Sequence, residues 1–343
     1  MDTEFFWERT FYPVLGLVQL ATRDACWLID AVRLTDLRAL GPVLSSDSVT
    51  KVLHDAQQDL GILSRATGAL PRSVFDTRLA AGFAGLGSTV SLQTLLRETL
   101  GVELPKTETR SNWLRRPLSA EQLRYAADDV VHLLPLRDAL LSRCASETSR
   151  DWLRQELALL DDPAGYRDRD PRLMYLRVKG SARLDARQLA VLREIAAWRE
   201  EEARKRDWPR AHVLSDDLLV AIAQLDPDDG LALGALRDWP RNMPETATAA
   251  VLAAAARGRS LPEVDCPQPA GDSHPTARRA LKQQSDRLLA HIAATCKAHG
   301  IDPAVVASRS EADAYVQRLA QKNTAGLPLS GGWRKTLIAN FAL

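Results

Sequence analysis

Asp2-Thr3-Glu4-Phe5, at the beginning of this 343-residue chain, sets two carboxylates two residues apart. In a β-strand residues i and i+2 point to the same face, so Asp2 and Glu4 project together from one side of a sheet. Most Asp-x-Glu pairs are solvated loop edges; this one gains meaning from the acids that follow it. Asp59 lies in His54-Asp55-Ala56-Gln57-Gln58-Asp59-Leu60, and Asp129 closes Tyr125-Ala126-Ala127-Asp128-Asp129. A tyrosine four residues before an aspartate shares a helix face with it. Phosphodiester hydrolysis uses one divalent ion to activate a water and a second to stabilise the leaving oxygen, about 3.5–4 Å apart. Magnesium takes hard oxygen ligands and keeps several waters, so three or four carboxylates converging from separate elements suffice. The Tyr125 hydroxyl is placed to orient the attacking water.

The elements around these acids predict an α/β domain. Leu15 to Ala21 and Cys26 to Asp30 are apolar runs separated by the polar turn Thr22-Arg23-Asp24, a hairpin pattern. Leu37 to Leu44 has helical spacing. Val49 to His54 reads as a strand leading into an amphipathic helix from about Ala56 to Thr67, and Val74 to Thr77 as another short strand. Helical patterns then cover Leu79 to Phe83, Leu92 to Leu100 and one long segment, Ala120 to Leu141. Strands first and helices after give a mixed sheet with helices over residues 1–150. Residues 151–184, rich in Pro, Gly, Asp and Arg toward their end, read as a linker partly packed on its neighbours. Residues 185–260 and 276–343 are all helical and look like two copies of one small domain. Residues 261–275, with Pro262, Pro267, Pro269 and Pro275, form a second linker. Trp198, Trp208 and Trp239 are assigned to the helical core, and the charge run Glu200 to Arg206 to a solvated helix end.

Composition narrows the class. No apolar run reaches membrane-spanning length, and a charge at position 2 argues against a secretory leader. Cys26, Cys144, Cys266 and Cys296 lie far apart with no CxxC pair, as expected of reduced thiols in the cytoplasm. The formal net charge of +1 hides an asymmetry: from Ser273 to Leu343 ten Lys and Arg face four acids, a net +6. A basic tail beside a more acidic body suits a nuclease with a separate binding module.

The ordered set Asp-Thr-Glu-Phe, Leu53-His54…Asp59-Leu60 and Tyr-x-x-x-Asp resembles the three exonuclease motifs of the DEDD superfamily, in its tyrosine-bearing branch. Tyr12-Pro13…Gly16-Leu17…Gln19-Leu20, Phe75-Asp76-Thr77, Lys106-Thr107-Glu108…Ser111-Asn112-Trp113…Arg116-Pro117-Leu118 and Tyr125 to Leu136 are similar to the bacterial ribonuclease D family. Arg199, Ala203-Arg204, Asp207 and Pro209 resemble the signature of a helical domain known as HRDC, and Gly332-Trp333-Arg334 the end of a second copy. The resemblance spans nearly the whole chain. It implies a ribonuclease H-like α/β exonuclease domain followed by two all-α HRDC domains, acting as a 3′–5′ exoribonuclease on tRNA precursors with 3′ extensions. It also implies a monomer working with two Mg2+ or Mn2+ ions per site. By position, Asp2, Glu4 and Asp129 would hold the metal of the nucleophilic water, Asp2 with Asp59 the leaving-group metal, and Tyr125 would position the water. His54, Lys106 and Arg110 are candidates to contact RNA, each with a structural alternative. Two rival readings remain: a DNA-directed 3′–5′ exonuclease, and a nucleic-acid-binding protein without activity. The second arises because family members carry roughly twenty residues before the Asp-Thr-Glu motif. A chain starting at Met1 would leave Asp2 on a frayed strand, and the expectation is that the start has been assigned late.

Overall fold

The structure, a computed structural model, describes residues 1–105, 111–144, 146–269 and 275–342. β1 (Asp2–Phe6) lies beside β2 (Val14–Ala21), which pairs antiparallel with β3 (Cys26–Asp30), Leu17 opposite Asp30 and Ala21 opposite Cys26. β4 (Lys51–Leu53) and β5 (Val74–Asp76) form a parallel ladder. The pairing is thus mixed, and the ladders meet where the Met1 amine donates to the Val52 carbonyl at 2.9 Å. β4 is shorter than the expected Val49–His54 because β5 offers only three residues to pair with.

α1 (Gly41–Leu44), α2 (Gln57–Thr67), α3 (Thr77–Phe83) and α4 (Leu92–Leu100) follow the expected order. The single helix expected over Ala120–Leu141 is two, α5 (Ala120–Val131) and α6 (Leu133–Arg143). Pro135 explains the break at His132. In a continuous helix it would lack a donor and strike the Val131 carbonyl, whereas in a first turn its missing N–H goes unnoticed. The stretch expected as a linker over 151–184 is structured instead. α7 (Glu147–Ala158) runs into it with Trp152 and Leu153 buried, and the Asp161 carboxylate accepts from the backbone of Ser73 at 3.0 Å, just before β5.

The chain divides into two compact units. One comprises Trp7–Val14 and Asp168–Ser273. Its core is α8 (Ala186–Arg206), opened by an Asp185–Gln188 capping box, against α9 (Arg210–Val213), α10 (Asp216–Leu225), α11 (Gly230–Gly234) and α12 (Glu245–Arg259). Leu192, Ile195 and Ala196 meet Leu219, Ile222, Val251 and Ala255. Buried Arg199 donates to the Leu214 carbonyl at 3.0 Å and to Asp216 at 2.8 Å, joining α8 to the start of α10. The charge run is not simply solvated: Glu200 is 1% exposed and accepts from Arg204 and Arg210. Trp198 and Trp239 pack on the core, but Trp208 is exposed, with the Arg206 guanidinium 5.2 Å from its ring. Asp207 ends α8 in the left-handed conformation and accepts from the backbone of Phe11 and Tyr12, so Phe11 is buried with Ala203 and Val213.

The other unit comprises Met1–Phe6, Leu15–Arg167 and His274–Leu343. α13 (Pro275–His299), α14 (Arg309–Ala320) and α15 (Arg334–Leu337) do not stand apart as a domain of their own. Leu288, Ile292, Cys296, Trp333 and Leu337 share one core with Phe83, Leu136, Leu140 and Trp152. The Trp333 ring lies 5.3 Å from Trp152 and 5.2 Å from Phe83. A Cβ on Gly82 would fall 2.3 Å from a methyl of Val305, so glycine is what admits this close approach.

Candidate active site

β1 carries Asp2 and Glu4 on one face and Thr3 on the other, as strand alternation requires. α5 carries Tyr125 and Asp129 one turn apart, and its start is fixed by a Ser119–Gln122 capping box. What brings α5 to the sheet is a small cluster of Leu17, Trp113 and Ala126, with Tyr125 and Leu118 packed on it. At Gly16 a Cβ would sit 2.6 Å from the Trp113 carbonyl oxygen, so only glycine lets the segment before α5 lie against β2. Arg116 holds the same junction. Its guanidinium donates to both Asp30 oxygens at 2.6 and 2.8 Å, to the Gly16 carbonyl at 2.9 Å and to the Trp113 carbonyl at 2.8 Å. That pairing depresses the Asp30 carboxyl to about 2.

The result is a convergence of acids. One carboxylate oxygen from each of Asp2, Glu4 and Asp129 lies within 4.8 Å of the others. Asp59, in the first turn of α2, is buried and accepts from the Thr3 hydroxyl, and its charge acts on Asp2 and Glu4. Burial and then Asp129 push Asp2 up to about 7; burial, Asp2 and Asp129 push Glu4 up to about 9. Burial and Asp2 raise Asp59 to about 7. Asp129 rises to about 6, mainly by burial, against the opposing hydrogen bond from Tyr125. Like charges crowded out of water destabilise one another, and a bound divalent cation reverses that balance. An all-oxygen donor set fits Mg2+ or Mn2+ and offers nothing to softer metals. Tyr125 is raised by burial and by the neighbouring carboxylates, so its hydroxyl stays neutral and serves as a hydrogen-bonding group rather than a base.

His54 stands outside this group of acids. His54, at the end of β4, has Nδ1 2.9 Å from the Thr77 hydroxyl, which itself donates to the Leu53 carbonyl at 3.1 Å, so the imidazole is the donor. Burial lowers its pKa, and the ring is built into the framework rather than into the acid group. Lys106 and Arg110 fall outside the described residues. Three supporting residues had no assigned role in the sequence. Thr3 holds Asp59, Arg116 fixes the approach to α5, and buried Asp76 accepts from the backbone of Asp55 at 3.1 Å, Ala56 at 2.9 Å and Arg78 at 2.7 Å. Asp76 thereby joins the start of α2 to the start of α3. Phe75-Asp76-Thr77 and Arg116-Pro117-Leu118 stand out as motifs in the sequence, and that was the available signal.

Comparison with known proteins gives the site its context. The 3′-5′ exonuclease family profile matches residues 1–145, and the HRDC domain profile matches residues 188–242. A ribonuclease D from Desulfotalea psychrophila is 41% identical over 355 residues, covering 99% of this chain and 91% of the relative. The chain belongs to the ribonuclease D family. A second ribonuclease D, from Gluconacetobacter diazotrophicus, is 39% identical and covers the whole of this chain and 86% of its own length. The crystal structure of Escherichia coli RNase D, described as an exoribonuclease involved in structured RNA processing, is similar with a TM-score of 0.82 at 31% identity, over 98% of this chain and 90% of that one. The ribonuclease D architecture here is an exonuclease domain with a mixed sheet, then an HRDC domain, and the chain is a 3′–5′ exoribonuclease. No described helix is long and apolar enough to cross a membrane.

Proposed function

We propose that this exoribonuclease trims 3′ extensions from tRNA precursors in the cytoplasm, acting as a monomer and releasing 5′-mononucleotides with two divalent ions. The observation that carries the chemistry is the meeting of Asp2, Glu4 and Asp129 within 4.8 Å, with Asp59 held beside them. The ions would supply an activated water and a stabilised leaving oxygen. Asp2, Glu4 and Asp129 would hold one of them, and Asp2 with Asp59 the other. The Tyr125 hydroxyl donates to Asp129 and keeps a lone pair for the water that attacks. The helical regions 185–260 and 276–343, the second of them strongly basic, would track the RNA backbone by charge. His54, Lys106 and Arg110 are the candidate RNA contacts of the exonuclease domain. The test is digestion of a 3′-extended tRNA with Mn2+ or Mg2+ by the unaltered protein and by Asp129→Asn. Stepwise shortening by the first and none by the second is expected. Binding without shortening by the unaltered protein would overturn the reading, and faster cleavage of a DNA oligomer than of its RNA counterpart would overturn the substrate.

A further inference from the structure

Gln19 lies on β2 between Leu17 and Ala21, and strand alternation turns all three to one face. Val18 and Leu20 pack on the opposite side, with Leu44, Leu60 and Leu63. On Gln19's side, Leu17 packs in the cluster of Ala126 and Tyr125, and Ala21 against the core that contains Val130 and Leu133. Gln19 is therefore set beneath α5, level with the turn that bears Asp129. The side chain is 0% exposed, and among the described residues neither Nε2 nor Oε1 has a hydrogen-bonding partner. Interiors pair nearly all their buried amides, because an unpaired one gives up its hydration for nothing. Leu or Met would fill the same space without that cost. A donor and an acceptor kept dry under a group of acids point to a partner that completes the site.

We propose that Gln19 is a positioning residue of the carboxylate site: its Nε2–H donates to a carboxylate oxygen of the Asp2, Glu4 and Asp129 group when a divalent ion is held there. The inference rests on the metal-site reading given above. A cation draws one oxygen of each carboxylate toward itself, and the oxygens turned away need donors to fix their orientation. Within this group Thr3 supplies such a donor to Asp59 and Tyr125 to Asp129. Among the described residues Gln19 offers a further neutral donor from the sheet side, and its Oε1 can accept from a water of the site.

Two measurements test this. In Gln19→Met, Mn2+ affinity measured by calorimetry is expected to weaken about tenfold, as loss of such an outer partner does in other metal sites. kcat should fall with KM for RNA unchanged, while the metal-free melting temperature stays level or rises. A metal affinity and kcat within twofold of the unaltered protein would overturn the proposal. In the unaltered protein, the Gln19 side-chain amide resonances should shift on titration with diamagnetic Mg2+, a readout that does not depend on the variant folding. If the protein binds Mg2+ and those resonances stay fixed, the assignment fails while the metal site stands. If it binds neither ion, both fail.

Discussion

Asp129→Asn should separate two effects of the same carboxylate. Its pKa is raised in the fold, from 3.8 to about 6, so the ionised form destabilises the metal-free protein at neutral pH, and that cost fades as pH falls from 6 toward 3.8. The asparagine variant should therefore melt a few degrees higher without metal, corresponding to about 1–3 kcal/mol, while losing trimming activity by about 10²–10³-fold. Calorimetry without metal and a gel assay with Mn2+ check the two halves. Tyr125→Phe removes only the hydroxyl: kcat should fall about 10²-fold with Mn2+ affinity unchanged, as measured by single-turnover kinetics and calorimetry. Thr3→Val leaves Asp59 without its hydroxyl partner and should weaken Mn2+ binding about tenfold. The acids and the tyrosine are legible in sequence because strand and helix periodicity place them locally, i to i+2 and i to i+4. Thr3 is not, since its partner lies 56 residues away and a threonine in a strand ordinarily means β-propensity.

α7 shows how an element can be misread. Its sequence beside a Pro- and Gly-rich stretch suggests a connection, yet Glu156 on it is nearly buried and accepts from Trp333 Nε1 at 2.6 Å and from the Arg334 guanidinium at 2.5 and 2.7 Å. Arg334 also donates to the Val305 and Val306 carbonyls, so one ion pair locks α7, α15 and the turn before α14 together. Glu156→Leu strands the arginine and should destabilise this unit by about 3–5 kcal/mol, seen as a lower urea midpoint. The Gly332-Trp333-Arg334 motif announced its own end of the contact; the other end carries no local mark, because a lone Glu in a helix is ordinarily solvated. The divided α5 and α6 are a different case, since Pro135 was visible and only its position within a first turn was missed.

At the scale of the molecule, the order of exonuclease and HRDC regions was legible from their motifs. The shared core of residues 276–343 with the α/β domain was not, because helical periodicity shows which face is apolar and not what covers it. A chain ended at Ser273 would lose Leu288, Ile292, Cys296 and Trp333 from that core, at about 2 kcal/mol for each large side chain, together comparable with the whole stability of a typical domain. It should be recovered unfolded or aggregated, without near-ultraviolet dichroism. Mn2+ at about 100 times its dissociation constant should stabilise the intact protein by about 2.7 kcal/mol, and a chelator should reverse the shift. The seating of Trp7–Val14 among the helices of the HRDC-containing unit has a consequence for inheritance. These eight residues connect β1 to β2, so the unit is not a cassette bounded by one entry and one exit. A gene fusion that exchanged residues 168–273 for a foreign domain would leave Phe11 without its pocket and Asp207's two amide partners without an acceptor. β1, β2 and the unit that seats the segment between them are thus constrained to be passed on, and to change, together.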